Sequence, residues 1–373
     1  MKNVFDFDYN KSIVSVSGSI LKHFHIKPFH QTLPLLDKAL ECGKTNVVLL
    51  ILDGLGCSLL KKNLPEDSFL KQNIKDEIFS VFPPTTAAAT IAYHSGLTPL
   101  ESGWIGWMCY YPQYGQIIEN FNNVAYYTGK TLDTPGPSKT LIKFKSIYEM
   151  IVQKNKDVDY FKIFPDFEAD GCHTFAQMCR RILKATKSSG KKKIISAYWT
   201  EPDHTTHLNG VSSQEVKDVL KNIDDELKNL SKNLKDTILI ISADHGLVDV
   251  EEIYINDYPL LNDMLKMPPC LEARFVTFYV KDGKIADFKK EFEKTFGNDF
   301  KLYTKDEFLK SGLLGSGKKH KCIDTSLGDF VAISTTNKSL RYRSKLTGEH
   351  FNAADHAGIS EDEMKIPLII KMF

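Results

Sequence analysis

The stretch TILIISADHGLVDV, residues 237–250, joins an apolar, β-branched run to a polar trio, Asp244-His245-Gly246. A short run of this kind is typical of a strand that is buried on both faces of a parallel sheet. In open α/β sheets, ligands bind beyond the carboxyl ends of such strands. The stretch therefore predicts an α/β fold with functional side chains at one edge of its sheet.

Two earlier segments end in the same way. The run VVLLIL (47–52) leads into Asp53-Gly54, and IISAYW (194–199) is followed by Asp203 and, four residues later, His207. Helical patterns at 33–41, 143–154, 171–186 and 212–234 separate or flank these runs. Alternation of strands and helices predicts a doubly wound, mostly parallel sheet with helices on both faces. Three strands would then deliver aspartates and histidines to the same edge.

The character of the chain changes near residue 262. A strand is predicted at 272–280, a helix at 285–296, and further strands at 300–304 and 329–334. This pattern predicts a small α/β insert, a cap-like subdomain, over 262–350. The segment AADHAG (353–358) and a last core strand (366–370) return the chain to the catalytic α/β domain, which we assign to 1–261 and 351–373. The aromatic stretch 104–114 is predicted to be a loop near the site.

Composition excludes several classes of protein. The 373 residues carry 48 basic and 47 acidic side chains, and the net charge of +1 gives no nucleic-acid-binding signature. The N-terminal sequence has no apolar signal-peptide core, and no apolar run is long enough for a membrane span. Seven cysteines without a C-x-x-C pair favour reduced thiols and a cytoplasmic location. No pattern indicates an oligomeric state.

The side chains expected at the strand ends are of the types that bind metal ions. Carboxylates and imidazoles together suit Zn²⁺ or a similar divalent ion, and six of them are too many for one tetrahedral ion. Two ions about 3.5–4 Å apart can hold both the attacking and the leaving oxygen of a phosphoryl group. Any one of these residues taken alone is more typical of a solvated or core position, and it is the set at the strand ends that indicates a metal site. The candidate ligands are Asp53, Asp203, His207, Asp244, His245 and His356.

A nucleophile is predicted in the segment Phe82-Pro83-Pro84-Thr85-Thr86, just before an alanine-rich helical stretch. A threonine hydroxyl is nearly inert at neutral pH, but a bound cation and the field of a helix N-terminus both favour its alkoxide. Thr86 meets both needs. The alternative is that threonine serves here as a helix N-cap, and Thr85 could fill that role while Thr86 reacts.

In this order, Asp53-Gly54, Pro84-x-Thr86, Asp203-x-x-x-His207, Asp244-His245-Gly246 and His356 resemble the alkaline phosphatase superfamily, in particular its type I phosphodiesterase/nucleotide pyrophosphatase branch. The resemblance spans about residues 46 to 370. It implies a metal-dependent phosphoester hydrolase of phosphodiesterase/nucleotide pyrophosphatase type that acts through a phosphothreonine on Thr86. It also implies two divalent ions, Zn²⁺ first and Mn²⁺ as an alternative. One ion would bind Asp53, Thr86, Asp244 and His245, and the other would bind Asp203, His207 and His356.

The chain departs from the branch at one position that contacts substrate. Where the branch commonly has an asparagine that donates to a phosphate oxygen, this chain has Trp107, whose indole N–H is still a donor. Trp104 and Trp107 are therefore candidate substrate contacts, with apolar packing as the alternative for both. No arginine occurs between Asp53 and Arg180, whereas classical phosphomonoesterases use one near the nucleophile, and this favours diesters.

Alternatives remain open at the level of the sequence. A phosphomonoesterase, a phosphonate hydrolase or a mutase would use the same dinuclear core. A relative that binds nucleotides without catalysis is the alternative from another class. The expected partner is a small phosphorylated substrate, with nucleotides among the candidates, but no motif names it.

Overall fold

The computed structural model describes residues 6–344, 346 and 351–373. The strands, in chain order, are β1 (Asn46–Leu52), β2 (Ile74–Phe79), β3 (Met108–Tyr111), β4 (Gln116–Glu119), β5 (Val124–Ala125), β6 (Lys130–Thr131), β7 (Val158–Ile163), β8 (Lys192–Trp199), β9 (Thr237–Ser242), β10 (Val248–Asp249), β11 (Glu251–Tyr254), β12 (Cys270–Leu271), β13 (Phe275–Phe278), β14 (Phe300–Thr304), β15 (Phe330–Ser334), β16 (Lys338–Arg341), β17 (Ala354–Asp355) and β18 (Lys365–Met372).

Helices separate the strands of the central sheet along the chain. In chain order they are α1 (Ile13–His23), α2 (Pro34–Leu40), α3 (Cys57–Asn63), α4 (Phe69–Gln72), α5 (Thr86–Ser95), α6 (Pro99–Ser102), α7 (Pro137–Thr140), α8 (Ile147–Lys154), α9 (Phe175–Thr186), α10 (Asp203–Asn209), α11 (Gln214–Ser231), α12 (Pro259–Asn262), α13 (Ile285–Phe296), α14 (Lys305–Lys310), α15 (Ile323–Ser326) and α16 (Glu361–Met364), with 3-10 turns at Tyr9–Lys11 and Ile255–Asp257.

The central sheet has the strand order β2-β18-β9-β1-β8-β7. Strands β9, β1, β8 and β7 are parallel, and β18 runs antiparallel to both of its neighbours. Every residue of β1 and β9 is buried, as their unbroken apolar sequences predict. The prediction of a mostly parallel, doubly wound α/β sheet is therefore confirmed. The register pairs Ile51 with Tyr198 and with Ser242, so β8, β1 and β9 end at the same level.

A second sheet lies beside the first, with the order β14-β15-β13-β12-β3-β4-β5-β6. It joins strands from the predicted insert to the segment from β3 to β6. Residues 108–111 are thus a strand and not a loop, since they pair with β4 on one side and with β12 on the other. The division into a catalytic domain and a 262–350 insert stays a prediction. The second sheet draws on both parts, and residues 345 and 347–350 lie outside the described residues.

Hydrophobic clusters pack against both sheets. Around the central sheet, β1, β8, β9 and β18 pack against helices that include α1, α9 and α11. In the second sheet, Phe278, Phe288, Phe292 and Phe330 pack their rings against one another where α13 covers the strands. None of the helices in the described residues has the length and apolar content that a membrane crossing requires.

Candidate metal centre

The ends of β1, β8 and β9 bring three aspartates together. The Asp203 N–H donates to the backbone oxygen of Asp53 over 3.0 Å, and the Gly54 N–H donates to Oδ1 of Asp244 over 3.0 Å. Gly54 has a φ of +71°, and a Cβ on it would lie 2.9 Å from the Cα of Asp203. Only glycine allows both this backbone conformation and this contact. The Asp-Gly pair is therefore what lets the β1 and β8 loops touch.

Donor atoms of the predicted aspartate and histidine ligands other than Asp244 fall into two groups. Asp53, Asp203 and His245 each place one ligand atom within 4.8 Å of the others, and Asp203, His207 and His356 do the same. Asp203 belongs to both groups, whereas the sequence resemblance assigned it to one ion only. Between the groups, the rings of His245 and His356 stack with centroids 3.8 Å apart.

Three buried carboxylate oxygens in this cluster have no hydrogen-bond partner among the described residues: Oδ1 of Asp53, Oδ1 of Asp203 and Oδ2 of Asp244. An unpaired buried carboxylate oxygen is costly and is expected where a cation is its partner. The other carboxylate oxygen of Asp53 and of Asp244 does accept a hydrogen bond. Tyr198 donates its hydroxyl to Oδ2 of Asp53, and the backbone N–H of His245 donates to Oδ1 of Asp244. The carboxylates therefore fit metal ions.

The three histidines present their Nε2 atoms to the cluster for a shared reason. Nδ1 of each ring faces a backbone carbonyl oxygen, at 2.7 Å for His207 with Ala354, 3.2 Å for His245 with Gly246 and 3.2 Å for His356 with Pro84. A carbonyl oxygen only accepts, so Nδ1 carries a proton, and in the neutral ring the lone pair is on Nε2. This is the arrangement of metal-binding imidazoles.

Crowding of the carboxylates perturbs their acidity. Burial, and then the charges of Asp244 and Asp203, raise the pKa of Asp53 well above its usual range. Burial also raises the pKa of Asp244 to about 6, although its hydrogen bond from the Gly54 N–H opposes the shift. A bound cation would lower the pKa of both carboxyl groups again, because it stabilises their ionised forms.

The pKa values of the three histidines differ because their neighbours differ. Burial lowers the pKa of His245 to about 4 and that of His356 to about 3, so both rings are neutral and competent to bind a metal. Burial also opposes the charged form of His207, but the Asp203 carboxylate, 3.3 Å from its Nε2, outweighs burial and raises its pKa to about 9. Binding of a cation to His207 must therefore displace a proton.

Thr86 stands beside the first group. It is the first residue of α5, and its Oγ1 lies 3.2 Å from Nε2 of His245. Thr85 occupies the N-cap position, but its side chain makes no capping hydrogen bond and donates instead to Oε1 of Glu272 over 2.6 Å. The helix N-terminus thus faces the cluster without a side-chain cap, and such a terminus favours anions.

The two tryptophans differ in position. Trp104 is buried and donates its indole N–H to the backbone oxygen of Ile142 over 2.8 Å. This environment is typical of a packing residue, and its role as a substrate contact stays a prediction. Trp107 is partly exposed, its ring contacts Phe121 with centroids 5.5 Å apart, and its backbone N–H donates to Glu272. Its role as a substrate contact stays a prediction.

Two residues of the site were missed by the sequence reasoning. Tyr198 is the penultimate residue of β8 and looks like any other buried strand residue. Glu272 lies in the turn between β12 and β13, within what is predicted to be a strand. Burial raises the pKa of Glu272 to about 7, against the hydrogen bonds from Thr85 and Trp107. The one signal for Glu272 was a charged residue at the start of an apolar run.

A model of the type I phosphodiesterase / nucleotide pyrophosphatase family matches residues 47–358 of the chain. This span includes each of the predicted metal ligands and Thr86. No curated protein sequence matches the chain at a significant level.

Solved structures with the same fold come from animals and bacteria. Murine ectonucleotide pyrophosphatase/phosphodiesterase 5, as an inactive variant in complex with AMP, is 18% identical with a TM-score of 0.64, over 86% of this chain and 87% of that chain. The human protein is 15% identical with a TM-score of 0.66, over 87% of each chain. Phosphonoacetate hydrolase from Sinorhizobium meliloti 1021, in complex with phosphonoformate, is 15% identical with a TM-score of 0.60, over 88% of this chain and 91% of that one.

Proposed function

This chain belongs to the type I phosphodiesterase / nucleotide pyrophosphatase family of the alkaline phosphatase superfamily and is a metal-dependent phosphoester hydrolase, and we propose that it hydrolyses phosphodiester or pyrophosphate bonds with Thr86 as nucleophile. The observation that carries the proposal is the position of the Thr86 hydroxyl. It lies at the uncapped N-terminus of α5, 3.2 Å from a histidine of one of the two ligand groups.

We assign one divalent ion to Asp53, Thr86, Asp244 and His245, and the other to Asp203, His207 and His356. The unpaired carboxylate oxygens and the Nε2 lone pairs support this assignment. Two bound cations would lower the pKa of a hydroxyl or water and neutralise charge on the phosphoryl oxygens. Carboxylates together with imidazoles favour Zn²⁺, with Mn²⁺ as the alternative.

The residues act in two displacements. Thr86 Oγ1, after losing its proton, forms a bond to phosphorus while the bond from phosphorus to the leaving oxygen breaks. In the second displacement a water oxygen attacks phosphorus, the bond to Oγ1 breaks, and Thr86 recovers its proton. Meanwhile the backbone N–H groups in the first turn of α5 face the developing negative charge. The phosphothreonine is thus a covalent intermediate on the protein itself.

Charge near the site favours diesters over monoesters. The two arginines that reach the loop around His356 are already paired, since Arg274 contacts Glu363 at 2.7 Å and Arg341 contacts Asp355 at 2.7 Å. A monoester dianion would bring a second charge without a guanidinium to receive it. Binding of AMP by the murine structural neighbour supports a nucleotide as the substrate.

Substitution of the nucleophile tests the proposal. Thr86→Ala should abolish hydrolysis of bis-p-nitrophenyl phosphate. Its metal content, measured by elemental mass spectrometry, should stay above one ion per chain. Thr86→Ser should keep part of the activity. Substantial turnover by Thr86→Ala would remove Thr86 from the role of nucleophile.

Removal of the metals provides a second test. Treatment with a chelator should inactivate the wild-type chain, and Zn²⁺ or Mn²⁺ should restore the activity. The wild type should also turn over bis-p-nitrophenyl phosphate faster than p-nitrophenyl phosphate. A faster reaction with the monoester would contradict the proposed preference.

A further inference from the structure

The turn between β12 and β13 carries charged side chains out of the second sheet and into the catalytic site. Glu272, Ala273, Arg274 and Phe275 form this turn, which a hydrogen bond from the Glu272 N–H to the backbone oxygen of Phe275 closes over 3.0 Å. We define these four residues as the hairpin tip. Glu272 and Arg274, two residues apart, both contact elements that surround the metal ligands.

Glu272 makes its contacts through a single atom. Its Oε1 accepts the hydroxyl of Thr85 over 2.6 Å and the backbone N–H of Trp107 over 2.6 Å. Thr85 directly precedes Thr86, and Trp107 is the predicted substrate contact. One carboxylate oxygen therefore joins the segment that leads into α5 to the segment that carries Trp107.

The hydrogen bond from Thr85 to Glu272 also affects how the N-terminus of α5 is capped. Threonine at an N-cap position ordinarily turns its hydroxyl oxygen toward the N–H groups of the first turn. Here the hydroxyl donates to Glu272, and no capping hydrogen bond forms in the described structure. The contact thus holds Thr85 in a rotamer that leaves the first-turn N–H groups facing the site.

The backbone just before Glu272 has an unusual conformation. Leu271 has a φ of +87°, a conformation that a residue with a side chain rarely adopts. Gly106 packs against Leu271 so closely that a Cβ on Gly106 would lie 3.0 Å from the Cα of Leu271. Backbone strain of this kind persists where the surrounding contacts hold it, and it is common at functional sites.

Arg274 anchors the hairpin tip. Its guanidinium donates to both carboxylate oxygens of Glu363, at 2.7 and 3.1 Å, and both residues are fully buried. Oε1 of Glu363 also accepts the N–H of Gly358, two residues after His356. The same turn is therefore tied to the nucleophile helix at one end and to the His356 loop at the other.

We propose that Glu272 is a positioning residue, which holds Thr85 and Trp107 so that Thr86 and the first turn of α5 meet the phosphoryl group in a fixed geometry. The inference rests on the proposed role of Thr86. Glu272 acts through its contacts with Thr85 and Trp107. Misplacement of a reacting group by about 1 Å can lower a rate by about 100-fold.

Three variants test the proposal on bis-p-nitrophenyl phosphate. Glu272→Ala should lower kcat by about 10- to 100-fold with KM within about threefold of the wild type and unchanged metal content. Glu272→Gln keeps an acceptor oxygen at the same place, so its kcat should stay within about threefold. The matched control is Asp329→Ala, because Asp329 also accepts a backbone N–H in the second sheet, from Val280 over 2.7 Å, but is not part of the hairpin tip.

A readout that does not depend on turnover accompanies the kinetics. In the metal-free chain, amide hydrogen exchange over the first turn of α5 and at Trp107 should speed up in Glu272→Ala and stay unchanged in Asp329→Ala. A kcat for Glu272→Ala within threefold of the wild type would overturn the proposal. A loss in Asp329→Ala equal to that in Glu272→Ala would overturn it as well, because the effect would then be one of fold stability.

Thr85 provides a second route if Glu272→Ala does not fold. Thr85→Val removes the donor and leaves the carboxylate, and should lower kcat by about tenfold, whereas Thr85→Ser should restore it. Wild-type kcat in Thr85→Val would contradict the proposal. Failure of the wild type to hydrolyse any diester would instead remove the proposed function, so the two failures are distinguishable.

Discussion

Pro84 supports His356 across the site, because its carbonyl oxygen lies 3.2 Å from Nδ1 of the imidazole. The same carbonyl oxygen accepts the N–H of Ala357 over 3.0 Å. The segment that leads into Thr86 therefore also sets the tautomer and direction of a ligand in the other group. The carbonyl oxygen of Pro84 thus links the proposed nucleophile to a proposed metal ligand, so we expect changes in either to affect both.

Replacement of His356 tests the second ligand group. His356→Ala should lower the metal content from about two ions per chain toward one and reduce kcat by about 1,000-fold, because one of the three ligands of that group is lost. Metal content would be measured after dialysis against a weak chelator. The exposed His173, which pairs with Asp166 on the surface, gives the control His173→Ala, which should keep both ions. Full metal content in His356→Ala would contradict the assignment.

The hydroxyl of Tyr198 should tune the affinity of the first ligand group. It donates to Oδ2 of Asp53 and so fixes which carboxylate oxygen faces the cluster. Loss of such an outer hydrogen bond typically weakens metal binding by about 10- to 100-fold. We expect that range for Tyr198→Phe in a competition with a fluorescent chelator. Tyr148→Phe, another buried tyrosine that lies in α8, should bind metal as the wild type does, and equal affinities in both variants would sink the prediction.

The buried pair of Arg274 and Glu363 should be essential for stability. Arg274→Met leaves the Glu363 carboxylate without its cation, and an uncompensated buried charge costs about 3–5 kcal/mol. Urea unfolding of the metal-free chain should show that loss. The double variant Arg274→Met with Glu363→Gln should recover part of it, since no lone charge remains. Equal stabilities of the single and double variants would show that charge burial is not the cause.

Stability should depend on pH through Glu272. Its pKa of about 7 lies above the value of 4.5 for an unperturbed glutamate, so the folded chain binds this proton more tightly than the unfolded chain does. The folded state is therefore favoured at low pH, and this contribution is lost as the pH rises from about 4.5 through about 7. Between pH 5 and 8 the wild type should lose about 1 kcal/mol relative to Glu272→Gln, a discounted figure because Glu272 is partly exposed. A pH-independent difference between the two chains would contradict this assignment.

The ligand positions could be predicted because the rule behind them is local. Asp53, Asp203 and Asp244 each follow a strand or its first turn, and the carboxyl ends of parallel strands meet at one edge. His207 follows Asp203 by one helical turn, which puts both on the same face of α10. Short segments of sequence therefore predicted that these side chains lie together, while their role as metal ligands stays a prediction.

The supporting contacts could not be predicted in the same way. Glu272 meets Thr85 over a separation of 187 residues, and Tyr198 meets Asp53 over 145. No periodicity in one sequence encodes such pairs. The second sheet was also only half foreseen, because β3 to β6 are short and the aromatic residues around Trp107 resemble those of a loop. Strands β2 and β7 were not predicted, because polar and apolar residues are mixed in their sequences.

The place of β18 between β9 and β2 has a consequence for folding. The interior strand Lys365–Met372 follows both of its neighbours in the chain, so β9 and β2 each keep one open edge until β18 has docked between them. Unpaired edges are templates for association with other chains. Docking of β18 is thus the folding step that protects the middle of the central sheet from aggregation.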